Sequence, residues 1–171
     1  MLSTTWQYDE HIAQRVAASG VYVTGTLQVG LDSMTAMQER YAQGIATAEE
    51  VRIVTLTPNR NENSLATMRY LHDLGVPIVA GNDAGWRYTG FGDFYQELVL
   101  LARAGMTPLE AIHAATGRAA KACQLDGIVG TIAPGCAADL LVVPGDPATD
   151  LSALKVPAMV LQTGRTVVDR R

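Results

Sequence analysis

Long apolar runs are missing from this sequence: no stretch approaches the roughly 20 residues that a hydrocarbon core requires, so no membrane span is expected. The opening residues, Met1 to Glu10, hold neither the basic segment nor the apolar segment of a secretory leader. Cysteine is scarce. The two present, Cys123 and Cys136, have no CxxC spacing and no neighbouring histidines, and are expected to be unpaired small core residues rather than a disulfide. Basic clusters are also lacking. With a formal charge of −4, the chain has no face that could displace counterions from phosphates, which excludes a sequence-independent grip on nucleic acid. Phosphate-binding loops are incomplete: Gly90-Phe91-Gly92 lacks the third glycine, and Gly25 to Gly30 lacks the following Lys-Ser/Thr. No Gly-x-Ser-x-Gly nucleophile elbow occurs. These absences leave a soluble, cytoplasmic protein as the expectation.

What is present reads as alternating helix and strand. Asp9 to Ser19 carries Ile12, Ala13, Val16 and Ala17 at helical spacing, stops at Gly20, and runs into the β-rich segment Val21 to Leu27. Asp32 to Val54 is helical but interrupted at Gly44, with a second start offered by the capping box Thr47-x-x-Glu50. Asn61 to Leu74 places Leu65, Met68 and Leu71 on one helical face, Gly75 ends it, and Val76 to Ala80 is a short apolar strand. Short apolar strands between helices indicate parallel strands covered on both faces. A loop from Trp86 to Phe94, a helix from Tyr95 to Ala104, and a helix from Thr107 through Ala122 follow, the last with Pro108 at its first position and Glu110 completing a capping box. From Gly127 the pattern changes to short β-rich runs between Gly and Pro: Ile128 to Ile132, Ala138 to Val143, Ala158 to Gln162 and Thr166 to Val168. The expected division is an α/β part over 1–126 and a small β part over 127–171. An eight-stranded barrel takes about 200–250 residues, whereas only two α/β strands are visible here. An open doubly wound sheet usually has about five or six strands, so the α/β part, barrel or open sheet, is expected to be incomplete, with an upstream part missing or a second copy completing it.

Asp83 is the strongest candidate for chemistry. It follows a buried strand at the end where α/β sheets place their sites, among small residues that permit close approach. A turn role, with the carboxylate capping the strand exit, fits the same motif. Trp86, Arg87 and Tyr88 come next on that loop, as a substrate wall of aromatic and guanidinium groups or as loop anchors. His11, His72 and His113 share no motif, whereas a zinc site needs three or four ligands around one ion; surface or supporting roles are expected for all three.

Three ordered segments resemble one family: Gly75-Val76-Pro77-Ile78-Val79-Ala80-Gly81-Asn82-Asp83-Ala84-Gly85, then Met106-Thr107-Pro108-Leu109-Glu110-Ala111-Ile112-His113-Ala114-Ala115-Thr116, then Gly130-Thr131-Ile132-Ala133-Pro134-Gly135-Cys136-Ala137-Ala138-Asp139-Leu140-Leu141-Val142-Val143. Together they are similar to the amidohydrolase superfamily, in the branch of imidazolonepropionases and prolidase-like dipeptidases. Tyr8 to Leu27 looks, more loosely, like the helix and strand seven of that family's barrel. The resemblance implies an α/β fold made of the C-terminal part of a (β/α)8 barrel, about strands seven and eight, plus the C-terminal strands of a small β-sandwich. It further implies that Asp83 is the strand-eight aspartate, which binds metal and takes the proton of the attacking water. One or two divalent ions, zinc foremost, would serve a hydrolase of amide, cyclic amide or dipeptide C–N bonds. The family's other ligands, including a strand-six histidine that would fall near residues 1–5, have no counterpart in the sequence, so the chain alone is expected to be inactive or nearly so. Two other readings stand beside this one: a self-associating half-barrel module without catalysis, and a nucleotide-dependent oxidoreductase, which the missing phosphate loop weakens.

Overall fold

A computed structural model describes residues 9–86 and 88–171. The first helix, α1 (Glu10–Ser19), opens with the Asp9 carboxylate accepting the His11 and Ile12 amides at 2.9 and 3.1 Å, and closes at Gly20 with φ 68°, a left-handed stop that glycine adopts without penalty. The strand that follows is shorter than its β-rich composition suggests. Only Val23–Thr24 (β1) is extended, because Thr26 turns at φ 44° and Leu27 already begins α2 (Leu27–Ala42). The helical stretch expected over Asp32 to Val54, with its interruption at Gly44 and second start at Thr47, is two helices: α2, which already starts at Leu27, then α3 (Ala48–Leu56) behind a complete Thr47/Glu50 capping box. Next come α4 (Arg60–Asp73) and β2 (Ile78–Val79).

β1 and β2 pair in parallel, Val23 opposite Ile78 and Thr24 opposite Val79. Such pairing needs a crossover, here supplied by α2, α3 and α4. The other edge of β2 is occupied as well. The Ala80 amide donates to the Ala114 carbonyl at 3.0 Å, and the Arg118 guanidinium donates to the Ile78 carbonyl at 3.0 Å. Ile78 is fully buried, in one apolar core with Leu27, Met68, Leu98, Leu101 and Ala111. That core draws on α5 (Tyr95–Arg103) and α6 (Pro108–Ala115), the latter started by the Thr107/Glu110 capping box. Thr116 breaks the expected helix through Ala122 into α6 and α7 (Gly117–Ala122) with φ −126° and ψ −99°. The chain packs tightly at this break: Gly130 approaches so closely that a Cβ there would sit 2.8 Å from the Thr116 carbonyl oxygen.

Beyond α7 the expected strand at Ile128 to Ile132 is a series of turns. The amides of Ile128 and Val129 both donate to the Leu125 carbonyl, and the Ile128 carbonyl accepts from Ala137, so the segment's polar groups are used locally. β3 (Leu140–Val142), β4 (Met159–Gln162) and β5 (Arg165–Asp169) form an antiparallel sheet in that order. Thr163 and Gly164, at φ 48° and 79°, make the two-residue hairpin turn between β4 and β5, the left-handed pair that matches strand twist. Asp139 accepts the Thr163 amide at 2.7 Å and fixes that turn. Leu151, in a short 3-10 turn (Leu151–Leu154), is buried in the same core as Leu98 and Leu101, tying the β3–β4 connection to the helices. Both cysteines are free, but Cys123 is exposed and Cys136 half-buried, so the expectation of core cysteines fails: α7 turns Cys123 outward. No helix among the described residues is long and apolar enough to cross a membrane.

Candidate active site at the strand ends

The two parallel strands end side by side, and the segments leaving them, Gly25 to Gln28 and Ala80 to Asp83, lie against each other. Gly81 permits this approach, since a Cβ there would meet the Thr24 methyl at 2.8 Å. Buried Asn82 then bridges the two segments: its Nδ2 donates to buried Gln28 Oε1 at 2.8 Å, while its Oδ1 accepts the Ala84 amide at 3.3 Å. The second bond is the turn that carries Asp83 in the left-handed region, φ 50°, where aspartate is tolerated far better than branched residues. Asp83 therefore stands exposed, held by its neighbours rather than by its own side chain.

Beneath it lies Glu97, a carboxylate with no exposed surface. Its Oε1 accepts the Leu27 amide at 3.0 Å and its Oε2 accepts the Gln28 amide at 2.7 Å. Thr26, the residue preceding α2, gives no side-chain cap, so a glutamate some 70 positions along the chain satisfies the first amides of that helix, which otherwise lack partners. Burial pushes the Glu97 carboxyl up to about 7; the two amides oppose that shift, and the nearby Asp83 charge adds to it. A sequence signal for Glu97 exists, since it lies four residues before fully buried Leu101 on α5 and hence on the helix's apolar face.

Asp83 and Trp86 line an open cleft of about 560 Å³ with Ser33 and Met37 of α2, Ile53 of α3 and Arg60 of α4. The structure thus brings two of the expected site residues together. Tyr88 does something else: its hydroxyl donates to Glu50 Oε1 at 2.6 Å. Glu50 also accepts the Thr47 amide at 2.6 Å and the Arg40 Nε at 3.1 Å. With the phenol as the largest influence, these donors hold its carboxyl down at about 2. Tyr88 thereby ties the Trp86 to Phe94 loop to α2 and α3. Arg87 and the segment 1–5 lie outside the described residues. His11 and His113 are exposed, and His72 sits at the far end of β2 from Asp83, its Nε2 3.8 Å from Glu110. Among the described residues no set of three or more His, Cys, Asp and Glu side chains could hold a metal ion. As a metal ligand Asp83 would be one donor of the three or four that zinc takes, so these residues do not form a metal centre by themselves.

Comparison with known proteins shows what the chain is similar to. The model of a family described as "Amidohydrolase family" matches residues 7–167. An imidazolonepropionase from Ralstonia nicotianae is 32% identical over 115 residues, which is 63% of this chain and 28% of the relative. The crystal structure of a Xaa-Pro dipeptidase with methionine bound in its active site superposes with a TM-score of 0.77 at 26% identity, over 92% of this chain and 37% of that one. A prolidase complexed with N-methylphosphonate-L-proline gives 0.75 at 25% identity, over 95% of this chain and 38% of the other. The chain thus spans well under half the length of each of these proteins.

Proposed function

The chain belongs to the amidohydrolase family, and from that premise we propose that it forms the Asp83 side of a hydrolase that cleaves C–N bonds in amides, cyclic amides or dipeptides. In this reading β1 and β2 are the last two strands of an eight-stranded barrel. Residues 1–126 are the barrel part, and residues 127–171, with β3 to β5, are the closing strands of a small β-sandwich. One observation carries the proposal: an exposed carboxylate in a left-handed turn beyond the end of β2, at the rim of an open cleft. The resemblance to an imidazolonepropionase and to enzymes acting on Xaa-Pro dipeptides supports the choice of bond.

The chemistry asked of Asp83 is proton transfer. Water attacks the amide carbonyl carbon, Asp83 accepts the proton that the water gives up, and the same carboxyl returns it to the nitrogen as the C–N bond breaks. The products are a carboxylic acid and an amine. Trp86 forms one wall of the cleft, and Tyr88 steadies the loop that carries both. A divalent metal, zinc by family resemblance, belongs to the proposal only as an ion that Asp83 would hold with its one carboxylate.

Because the described residues supply so few donors, turnover by the 171-residue chain should be slow. The test is hydrolysis of N-acyl amino acids, dipeptides and a cyclic amide at high protein concentration with added zinc, comparing the chain with Asp83→Ala. Trace hydrolysis lost in the variant supports the proposal; equal rates in both would remove Asp83 from the reaction. A second reading, self-association without catalysis, is favoured by the antiparallel sheet, none of whose strand residues is buried. Sedimentation equilibrium decides it: a dimer with no Asp83-dependent hydrolysis would replace the first reading with the second.

A further inference from the structure

The cleft beside Asp83 holds a second charged group that the proposed chemistry leaves idle. Arg60, the first residue of α4, is exposed and lines the cleft with Asp83, Trp86, Ser33, Met37 and Ile53. Among the described residues it is the one cation lining that cleft, and Asp83 is the one anion. Arg40, Arg52 and Arg103 each face a carboxylate within 4 Å, whereas Arg60 has none among the described residues. The rest of the described lining is mostly apolar or small: Val29, Met37 and Ile53 from the helices, the hydroxyl-bearing Thr26 and Ser33, and Trp86, 62% exposed. A guanidinium offers a planar fork of donors that matches a carboxylate in two parallel hydrogen bonds. The chain as a whole is acidic, at −4, so a guanidinium in this cleft with no carboxylate partner among the described residues is suited to an anionic group brought in from outside.

Resting on the hydrolase reading above, we propose that Arg60 is the anchor for a carboxylate carried by the substrate. The substrate class is then an amide that bears a free carboxylate, such as an N-acyl amino acid or a dipeptide. Its C–N bond is presented to Asp83, its apolar side chain rests against Trp86 and Ile53, and its carboxylate is held by Arg60. Neutral amides fit the same space without the anchor and bind weakly. Because Arg60 is exposed at the start of its helix, changing it leaves the core untouched.

The experiment is a nuclear magnetic resonance titration of the intact chain with N-acetyl-L-methionine and with its uncharged primary carboxamide, repeated on Arg60→Gln and Arg60→Lys. Thermal melts confirm that both variants fold. The free acid should bind roughly ten- to a hundred-fold more tightly than the carboxamide, the range expected of a charge-assisted contact. Arg60→Gln should erase that preference without changing carboxamide binding, and Arg60→Lys should restore part of it. Equal binding of acid and carboxamide to the unaltered chain, a preference unchanged in Arg60→Gln, or binding of neither compound overturns the assignment. The hydrolysis comparison with Asp83→Ala separates the two ideas. Asp83-dependent hydrolysis without an Arg60-dependent preference removes the anchor and keeps the hydrolase, whereas the preference with Asp83-independent rates keeps the anchor and removes the hydrolase.

Discussion

In the parallel pair, Ile78 and Val79 are 0% and 8% exposed; in the antiparallel sheet Leu141, Val142 and Val167 retain 57%, 44% and 55% exposure, and no strand residue is buried. Both sheets contain branched apolar residues, valine in each, although β4 and β5 also carry Gln162, Arg165 and Asp169. The difference lies in what covers them. Parallel strands are joined by helices that fold back over their faces, and here α4, α5 and α6 close over β2. Antiparallel strands joined by hairpins bring no such cover, and β3 to β5 are attached to the helices mainly through Leu151. An apolar strand in the sequence therefore marks a residue that can be buried, and the connection decides whether it is.

The sharpest test is a pair of truncations. Leu101→Ala, at a fully buried site of the helix-covered half, should cost about 2–5 kcal/mol in urea unfolding through lost transfer energy plus a cavity. A cost below about 1 kcal/mol would mean that the covered half is loosely packed and would break the contrast.

Glu97→Ala should come next, at about 1–3 kcal/mol, because it leaves the buried amides of Leu27 and Gln28 without an acceptor. Amide hydrogen exchange at the start of α2 reads the effect locally, and unchanged protection there would show that another acceptor takes over.

Tyr88→Phe should cost less, about 1 kcal/mol or below, as it removes one partly exposed hydrogen bond. The same contact has a pH signature. Glu50 is held down at about 2 from an ordinary value of 4.5, so its stabilising contribution is fully present above 4.5 and is lost as pH falls toward 2. Glu50→Gln should flatten that part of an acid unfolding profile, and an identical profile in the variant would show that the Tyr88, Thr47 and Arg40 contacts contribute nothing there.

Smallest of all should be Val167→Thr on the open sheet, within about 0.5 kcal/mol. A cost approaching that of Leu101→Ala would reveal that β5 is covered in solution, as the self-association reading requires.

Much of this organisation was legible locally. The capping boxes at Thr47/Glu50 and Thr107/Glu110, the glycine stops at Gly20 and Gly75, and the order of helix and strand up to α6 appear as read, because each depends on groups within a few residues of one another. The errors share the opposite cause. The α6–α7 break lies against Gly130, fourteen positions away, a turn uses the Ile128 and Val129 amides that a strand would have needed, and β1 is cut short where Glu97 caps α2. At the candidate site, Asp83 and Trp86 were visible as neighbours on one loop, but Glu97, Gln28 and Arg60 reach the same place from three other helices.

Sequence alone determined the alternation of elements, the helix starts and stops, the family signature and the candidacy of Asp83, since these rest on local propensity, side-chain-to-backbone caps and motif spacing. Tertiary structure alone decided which apolar strands are covered, that buried Glu50 and Glu97 are driven in opposite directions, and that a distant guanidinium shares the cleft of Asp83. Burial and charge depend on what surrounds an atom in space, and contacts between residues tens of positions apart leave no periodic trace along the chain.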